Sequence, residues 1–218
     1  MTVPALVVFD LAGTTIEDRG QVPAAFTAAL AAHGIVATAD QITRVRGASK
    51  RQAIRAFVET DAEASRVYAA FQLELAKRFE ADRVNAIAGA AECFQALRQA
   101  GARVALTTGF DRDITALLIA ALSWQDAADT IVCGDDVAQG RPAPDLIVRA
   151  MAETGVTDAA TVATVGDTTL DLEAGAAAGV GWNIAVLSGA HGRDALELAP
   201  HTHLIQSVAA LRELWRLA

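Results

Sequence analysis

The chain is poor in several things. Only two of its 218 residues are cysteines, Cys93 and Cys133, which lie far apart and form no CxxC pair. That argues against a disulfide framework and fits free thiols in a reducing cytoplasm. No apolar run approaches the roughly 18 residues of a membrane span. The N-terminus shows no basic segment or cleavage signal ahead of its first strand pattern, so a cytoplasmic location and no membrane partner are expected. Positive charge is also short. Eighteen basic against 26 acidic residues leave a net charge of −8, which argues against nucleic acid as a partner, because neutralising phosphates takes a basic surface. The three tryptophans are too scattered for a stacking platform. Lysine is the scarcest charge: of 18 basic residues only Lys50 and Lys77 are lysines, and the rest are arginines.

What remains is 53% hydrophobic and 20% charged, the make-up of a globular chain with a substantial core. Its length suits one large domain or a domain with an insertion. The run from Ala5 to Phe9 reads as a buried strand ending in Asp10. From about Pro23 to Arg83 the pattern is helical. A first helix spans Ala24 to His33, with Gly34 as its stop. A second runs to Arg46 with Asp40 as cap, and a third from Ser49 or Lys50 to Glu59. A long amphipathic one covers Asp61 to Asp82. No strand pattern interrupts this block, so it reads as an inserted all-helical unit.

A βα rhythm follows. Strands are expected at 103–106, 130–133, 161–165, 182–187 and 203–205, with helices at 89–100, 111–122, 145–154, 170–178 and 208–215. Alternation of this kind implies an α/β fold with a parallel sheet covered on both faces. The expected architecture is a Rossmann-like three-layer core (residues 1–15 and 86–218) carrying an all-helical cap (16–85).

Four strand ends bring polar groups to one sheet edge: Asp10, Thr108, the Arg141 loop and Asp167. Alone, Asp10 reads better as a turn or capping residue. Together the four supply what phosphoryl transfer needs, a carboxylate nucleophile, a hydroxyl, a cation and a second acid. Asp10 and Asp167, with Asp171, make a hard oxygen site that suits Mg²⁺. The Ala12, Gly13 and Thr14 amides are placed to face an anion.

The motifs stand as Asp10-Leu11-Ala12-Gly13-Thr14, Thr107-Thr108-Gly109, Gly140-Arg141-Pro142 and Gly166-Asp167-Thr168-Thr169-Leu170-Asp171. In them the chain resembles the haloacid dehalogenase-like superfamily over nearly its whole length. The resemblance implies Asp10 as a nucleophile forming an aspartyl-phosphate. It implies Mg²⁺ held by Asp10, the Ala12 carbonyl and Asp167, with Asp171 nearby. Thr108 and Arg141 would bind the phosphoryl oxygens, with Gly13, Thr14, Gly47, Gly109 and Arg46 beside the substrate. A homodimer through the cap is the assembly it suggests.

Ala12 is the informative departure. Most superfamily phosphatases resemble Asp-x-Asp there, and the second Asp protonates the leaving oxygen, a contribution of about 10²–10⁴-fold. The Asp-x-Ala-Gly-Thr form, with Arg141, resembles the phosphonatase branch, whose enzymes cleave the C–P bond of phosphonoacetaldehyde after a cap lysine forms an imine. Gly47-Ala48-Ser49-Lys50 is similar to that cap loop. Imine formation needs an amine that can lose its proton, which guanidinium does not do. Crowding by Arg44, Arg46, Arg51 and Arg55 would lower the Lys50 pKa. Three positions depart from the branch: Ala53 in place of a histidine, Arg46 in place of a methionine, and Leu11 in place of a tryptophan. The expected substrate is a small phosphonate or phosphate bearing an aldehyde. The alternative is a phosphate-ester phosphatase in which Lys50 is a plain cation.

Other residues are expected to play structural parts. His33, His191, His201 and His203 lie outside the motifs. Asp135 and Asp136 read as loop residues, Glu17 and Asp18 as a solvated hinge, and Phe110 as either packing or pocket lining.

Overall fold

Six parallel strands form one sheet in the computed structural model, which describes residues 2–81 and 83–217. They are β1 (Leu6–Asp10), β2 (Arg103–Thr107), β3 (Thr130–Val132), β4 (Val162–Gly166), β5 (Trp182–Val186) and β6 (His203–Ile205), in the spatial order β3-β2-β1-β4-β5-β6. Every residue of β1 is buried, as a strand covered on both faces must be. Its side chains alternate between two cores. Val7 and Phe9 join a large cluster with Phe94, Leu97 and Ile114, while Leu6 and Val8 join a second with Leu146, Ile147 and Ala174. Phe9 and Phe94 meet edge to face, with ring centroids 5.0 Å apart.

An all-helical block follows β1: α1 (Gln21–Ala32), α2 (Ala39–Arg44), α3 (Lys50–Arg55) and α4 (Asp61–Ala81). Phe26 of α1 packs on Phe71 of α4 and on Phe57, at 5.9 and 5.8 Å between centroids. Burying each such ring is worth roughly 1.5–3 kcal/mol, and this seam binds the block together. The two chain crossings into the sheet run side by side. Glu17 N–H donates to the Asn85 carbonyl (3.0 Å), and Ile87 N–H to that of Thr15 (2.8 Å).

Several ends differ from the sequence expectation. α1 starts at Gln21 because Gly20, at φ +93°, turns the chain into it, and Pro23 falls within the first turn, where a missing N–H costs nothing. Thr38, not Asp40, caps α2. Its hydroxyl accepts from Gln41 N–H (3.2 Å), and Gln41 Oε1 accepts from Thr38 N–H (2.9 Å), a reciprocal capping box. α3 stops at Arg55, short of Glu59, because Phe57 N–H turns back to Ile54 (2.9 Å) and the ring swings onto Phe26. Asp82, expected to end the long helix, lies outside the described residues.

The core helices are α5 (Ala90–Gln99), α6 (Arg112–Leu122), α7 (Asp145–Thr154), α8 (Thr169–Ala178), α9 (Arg193–Leu198) and α10 (Leu211–Leu214). α9 has no counterpart in the sequence reading. It is six residues long and buries only Leu196, against Leu172 and Ala185, too little to leave a periodic signal. The closing helix begins as a 3₁₀ turn, Val208–Ala210, before α10. Both cysteines are buried and unpaired. Among the described residues no helix is long and apolar enough to cross a membrane.

Candidate active site

β1 lies between β2 and β4, the point where the strand order reverses and where open α/β sheets form a crevice. Asp10 pairs in register with Thr107, and Phe9 with Val165, so the three strand ends come level. Asp10 is buried there, and Arg141 reaches it from the loop before α7. The guanidinium is spent three ways. One terminal nitrogen donates to Asp10 Oδ1 (2.6 Å), the other to Thr107 Oγ1 (2.9 Å), and Nε meets Asp171 Oδ1 (2.9 Å). Burial works against the charged guanidinium, but the Asp171 and Asp10 carboxylates outweigh it and hold its pKa above the ordinary value.

Burial pushes the Asp10 carboxyl up to about 6, with Arg141 opposing and the Asp171 charge reinforcing. Asp167 goes further, to about 8, through burial and then the neighbouring Asp10 and Asp171 charges. Its contacts are the Thr14 hydroxyl (3.1 Å) and Ala190 N–H (2.6 Å). Among the described residues no cation pairs with it, although it is only 1% exposed. A buried carboxylate without a counter-charge is costly, and the hard oxygens of Asp10 and Asp167 at one cavity fit a hard divalent cation. Asp171 does not present a free carboxylate. Arg141 takes one oxygen, and the other accepts from Thr168 N–H (3.0 Å) and Thr168 Oγ1 (2.5 Å) in the capping box of α8.

Two of the three first-motif amides, those of Gly13 and Thr14, also correct the sequence expectation. Gly13 N–H donates to the Ile16 carbonyl (2.7 Å) and Thr14 N–H to that of Leu11 (3.3 Å), so the turn itself consumes both. Gly13 serves by lacking a side chain. At φ +97°, a Cβ there would collide with Asp167 Oδ2.

The helical block closes the crevice through Gly47-Ala48-Ser49-Lys50. Gly47, at φ +86°, lies so close to Thr168 that a Cβ would strike Oγ1, and a Cβ on Gly109 would sit 2.6 Å from the Ala48 carbonyl oxygen. Lys50 N–H donates to the Gly109 carbonyl (3.2 Å). Its Nζ contacts the Ala48 carbonyl (3.2 Å) and lies 5.3 Å from the centre of the Phe110 ring. Burial lowers the Lys50 pKa to about 8, with Asp10 opposing and Arg141 and Arg46 assisting.

Asp10, Ala12, Arg46, Gly47, Lys50, Thr108, Gly109, Arg141 and Asp167 together line one small cavity of about 30 Å³. Gly13, Thr14 and Asp171 stand behind its wall. Thr108 presents its hydroxyl there, held by Phe110 N–H (3.1 Å). Phe110 lines the cavity too. Asp18, expected as a solvated hinge, is a wall residue whose side chain is 4% exposed and pairs with Arg46 at 2.5 Å. Nothing in the local sequence distinguishes it from half-buried Glu17, whose side chain is 38% exposed. His191 accepts at Nδ1 from Thr169 N–H (3.1 Å) and so satisfies an amide at the start of α8. Asp135 and Asp136 are loop residues, as expected. Asp136 accepts from Cys133 N–H (2.7 Å) and pairs with Arg112, while Asp135 accepts from Arg112 N–H (3.0 Å).

A profile of the family described as haloacid dehalogenase-like hydrolase matches residues 7–185. The chain belongs to this family. The match runs from β1 into β5, so it takes in both sides of the cavity. This haloacid dehalogenase-like hydrolase falls on the phosphonatase-like branch. It is 31% identical over 235 aligned residues to the phosphonoacetaldehyde hydrolase of Paraburkholderia xenovorans, covering 95% of this chain and 86% of that protein. Among solved structures it is similar to a hydrolase from Pseudomonas syringae, with TM-score 0.88, 25% identity and coverage of 98% and 99%. A phosphonoacetaldehyde hydrolase-like protein from Oleispira antarctica superposes with TM-score 0.84 at 23% identity, covering 98% and 92%, a likeness of fold.

Proposed function

We propose that this hydrolase releases phosphate from a small aldehyde-bearing phosphonate, with phosphonoacetaldehyde as the reference substrate, under a helical cap at residues 16–85. The observation that carries this is Lys50, a buried amine with a pKa lowered to about 8 that shares a 30 Å³ cavity with Asp10 and Arg141. The position from which a superfamily phosphatase would protonate a leaving oxygen is Ala12, so leaving-group chemistry falls to another group.

Asp10 and Asp167, with the Ala12 carbonyl, would hold Mg²⁺. When bound, the ion supplies charge neutralisation for the phosphoryl oxygens. Arg141 and Thr108 bind those oxygens, and Asp171 keeps Arg141 in place from behind. Lys50 condenses with the aldehyde and loses water to give an imine. Asp10 attacks phosphorus, and the electron pair of the breaking P–C bond enters an enamine on Lys50. Protonation and hydrolysis of that enamine return acetaldehyde and the free amine. Water then cleaves the aspartyl-phosphate.

The test is phosphate release from phosphonoacetaldehyde in Mg²⁺, beside a panel of phosphate esters. Release from the phosphonate, lost in Lys50→Arg, supports the imine. Release from esters alone, unchanged in Lys50→Arg, sinks it. Ala12→Asp separates the same readings, because a restored acid speeds ester hydrolysis by about 10²–10⁴-fold and leaves imine chemistry without benefit.

A further inference from the structure

We infer that Arg46 and Asp18 select the organic end of the substrate, and that this end carries an uncharged hydrogen-bonding substituent such as a hydroxyl. The preferred substrate is then a hydroxylated relative of phosphonoacetaldehyde. This rests on the phosphonate reading of the cavity.

Arg46 comes from the turn after α2 and Asp18 from the crossing between β1 and α1, and both line the cavity that Asp10 and Arg141 enter from the sheet. The pair is fixed in place. Arg46 donates to Asp18 Oδ2 at 2.5 Å, and Asp18 Oδ1 accepts from Gly20 N–H at 2.9 Å. A guanidinium has five N–H donors. Among the described residues the Asp18 carboxylate is the one acceptor that meets Arg46, so donors are left at the wall of the cavity. Beside them lies a small apolar annex lined by Val22, Phe26, Ile42 and Val45, which Arg46 and Lys50 also border. The recess, about 10 Å³, gives a small substituent an apolar wall beside one polar anchor.

Charge decides what the anchor takes. The charged side chains lining the cavity are Asp10, Asp18, Asp167, Arg46, Lys50 and Arg141, three of each sign, and the buried Asp171 carboxylate behind Arg141 adds one more negative charge. A phosphoryl dianion entering with a divalent cation adds nothing to that balance. A carboxylate on the organic end would add to that acidic excess in a buried site, and an ammonium would face Arg46 and Lys50, whereas a neutral oxygen accepts from Arg46 at no such cost.

The experiment uses unreactive analogues and reads binding by titration calorimetry in Mg²⁺. The probes are 2-hydroxyethylphosphonate, whose oxygen stands for the carbonyl, 1,2-dihydroxyethylphosphonate, which adds one hydroxyl, and 3-phosphonolactate, which adds a carboxylate. The wild type is expected to bind the diol roughly ten- to a hundredfold tighter than the mono-ol, the worth of a hydrogen bond to a charged donor, and the lactate weakest. Arg46→Met is expected to bind mono-ol and diol alike. Asp18→Asn, which frees the guanidinium from its tether, narrows the ratio, and it reads the same quantity should Arg46→Met fail to fold. Equal affinities in the wild type, an unchanged ratio in the variants, or tightest binding of the lactate overturns the inference. Absence of phosphate release from phosphonoacetaldehyde and from 1-hydroxy-2-oxoethylphosphonate alike sinks the imine reading, whatever the binding ratios. Flat ratios beside normal phosphate release sink only the role given to Arg46 and Asp18.

Discussion

Lys50→Met is expected to stabilise the fold while removing turnover. Lys50 is 8% exposed, and burial brings its amine from 10.5 down to about 8. Each tenfold weakening of proton binding is about 1.4 kcal/mol, so carrying the ammonium costs the fold about 3 kcal/mol below pH 8. Methionine keeps most of the stem and drops the charge. The sign follows from proton counting. Below pH 8 both folded and unfolded chains hold the proton, and the cost is at its full value. Between pH 8 and 10.5 the unfolded chain holds more protons, so wild-type stability rises with pH. Above 10.5 the cost is gone. At pH 7 the variant should therefore gain about 3 kcal/mol, roughly 6–12 °C in Tm for a chain of this length, beyond any change in apolar packing. That advantage should shrink through pH 9 and 10. Urea midpoints at pH 7, 9 and 10, at constant m, measure it. In parallel, wild-type phosphate release should climb with pH and level off near 8 as the amine becomes neutral. A variant with no gain at pH 7, or with a gain that ignores pH, would refute the buried-ammonium argument.

Three further outcomes are expected. Gly47→Ala meets Thr168 as well as an unfavourable φ of +86°, whereas Gly34→Ala, at φ +74° with nothing within 4 Å, meets only the backbone cost. The first should lose about 1–3 kcal/mol more than the second and raise KM, and equal losses by urea unfolding would contradict the tight seat. Asp171→Asn removes an acceptor from the α8 capping box and a charge from Arg141, and should cost about 2–3 kcal/mol in urea unfolding while weakening inorganic phosphate binding. Mg²⁺ at a hundred times its Kd should stabilise the fold by about 2.7 kcal/mol, an effect that EDTA reverses and Asp167→Asn abolishes. A Tm indifferent to Mg²⁺ in the wild type would count against the metal site.

Much of the core was legible because its signals are local. The run from Leu6 to Phe9 is apolar at every position, as a strand covered on both faces requires, and the other strand ends follow the same rhythm. Lys50 stood out because imine chemistry needs an amine, and the chain has only one other lysine, Lys77. The parts that were misread depend on which partner wins a hydrogen bond. Thr38 and Asp40 are both good caps, and Gln41 decides between them by completing a box with Thr38. Asp171 carries a carboxylate at a metal-ligand spacing, yet its place three residues after Thr168 turns it inward to cap α8 and hold Arg141. The Gly13 and Thr14 amides looked free because nothing in their motif shows that Ile16 and Leu11 consume them.

By itself, then, the sequence determined the alternating architecture, the inserted helical block and the residue types at the sheet edge. Hydrophobic period, turn residues and chemical function are properties of short stretches. The tertiary structure alone decided that the Asp18 side chain, 4% exposed where that of neighbouring Glu17 is 38%, is buried against Arg46, 28 positions away. It decided likewise that Lys50 loses enough water to titrate near 8. Burial and charge pairing arise from elements distant in the chain packing over one crevice, and such proximity has no local signature.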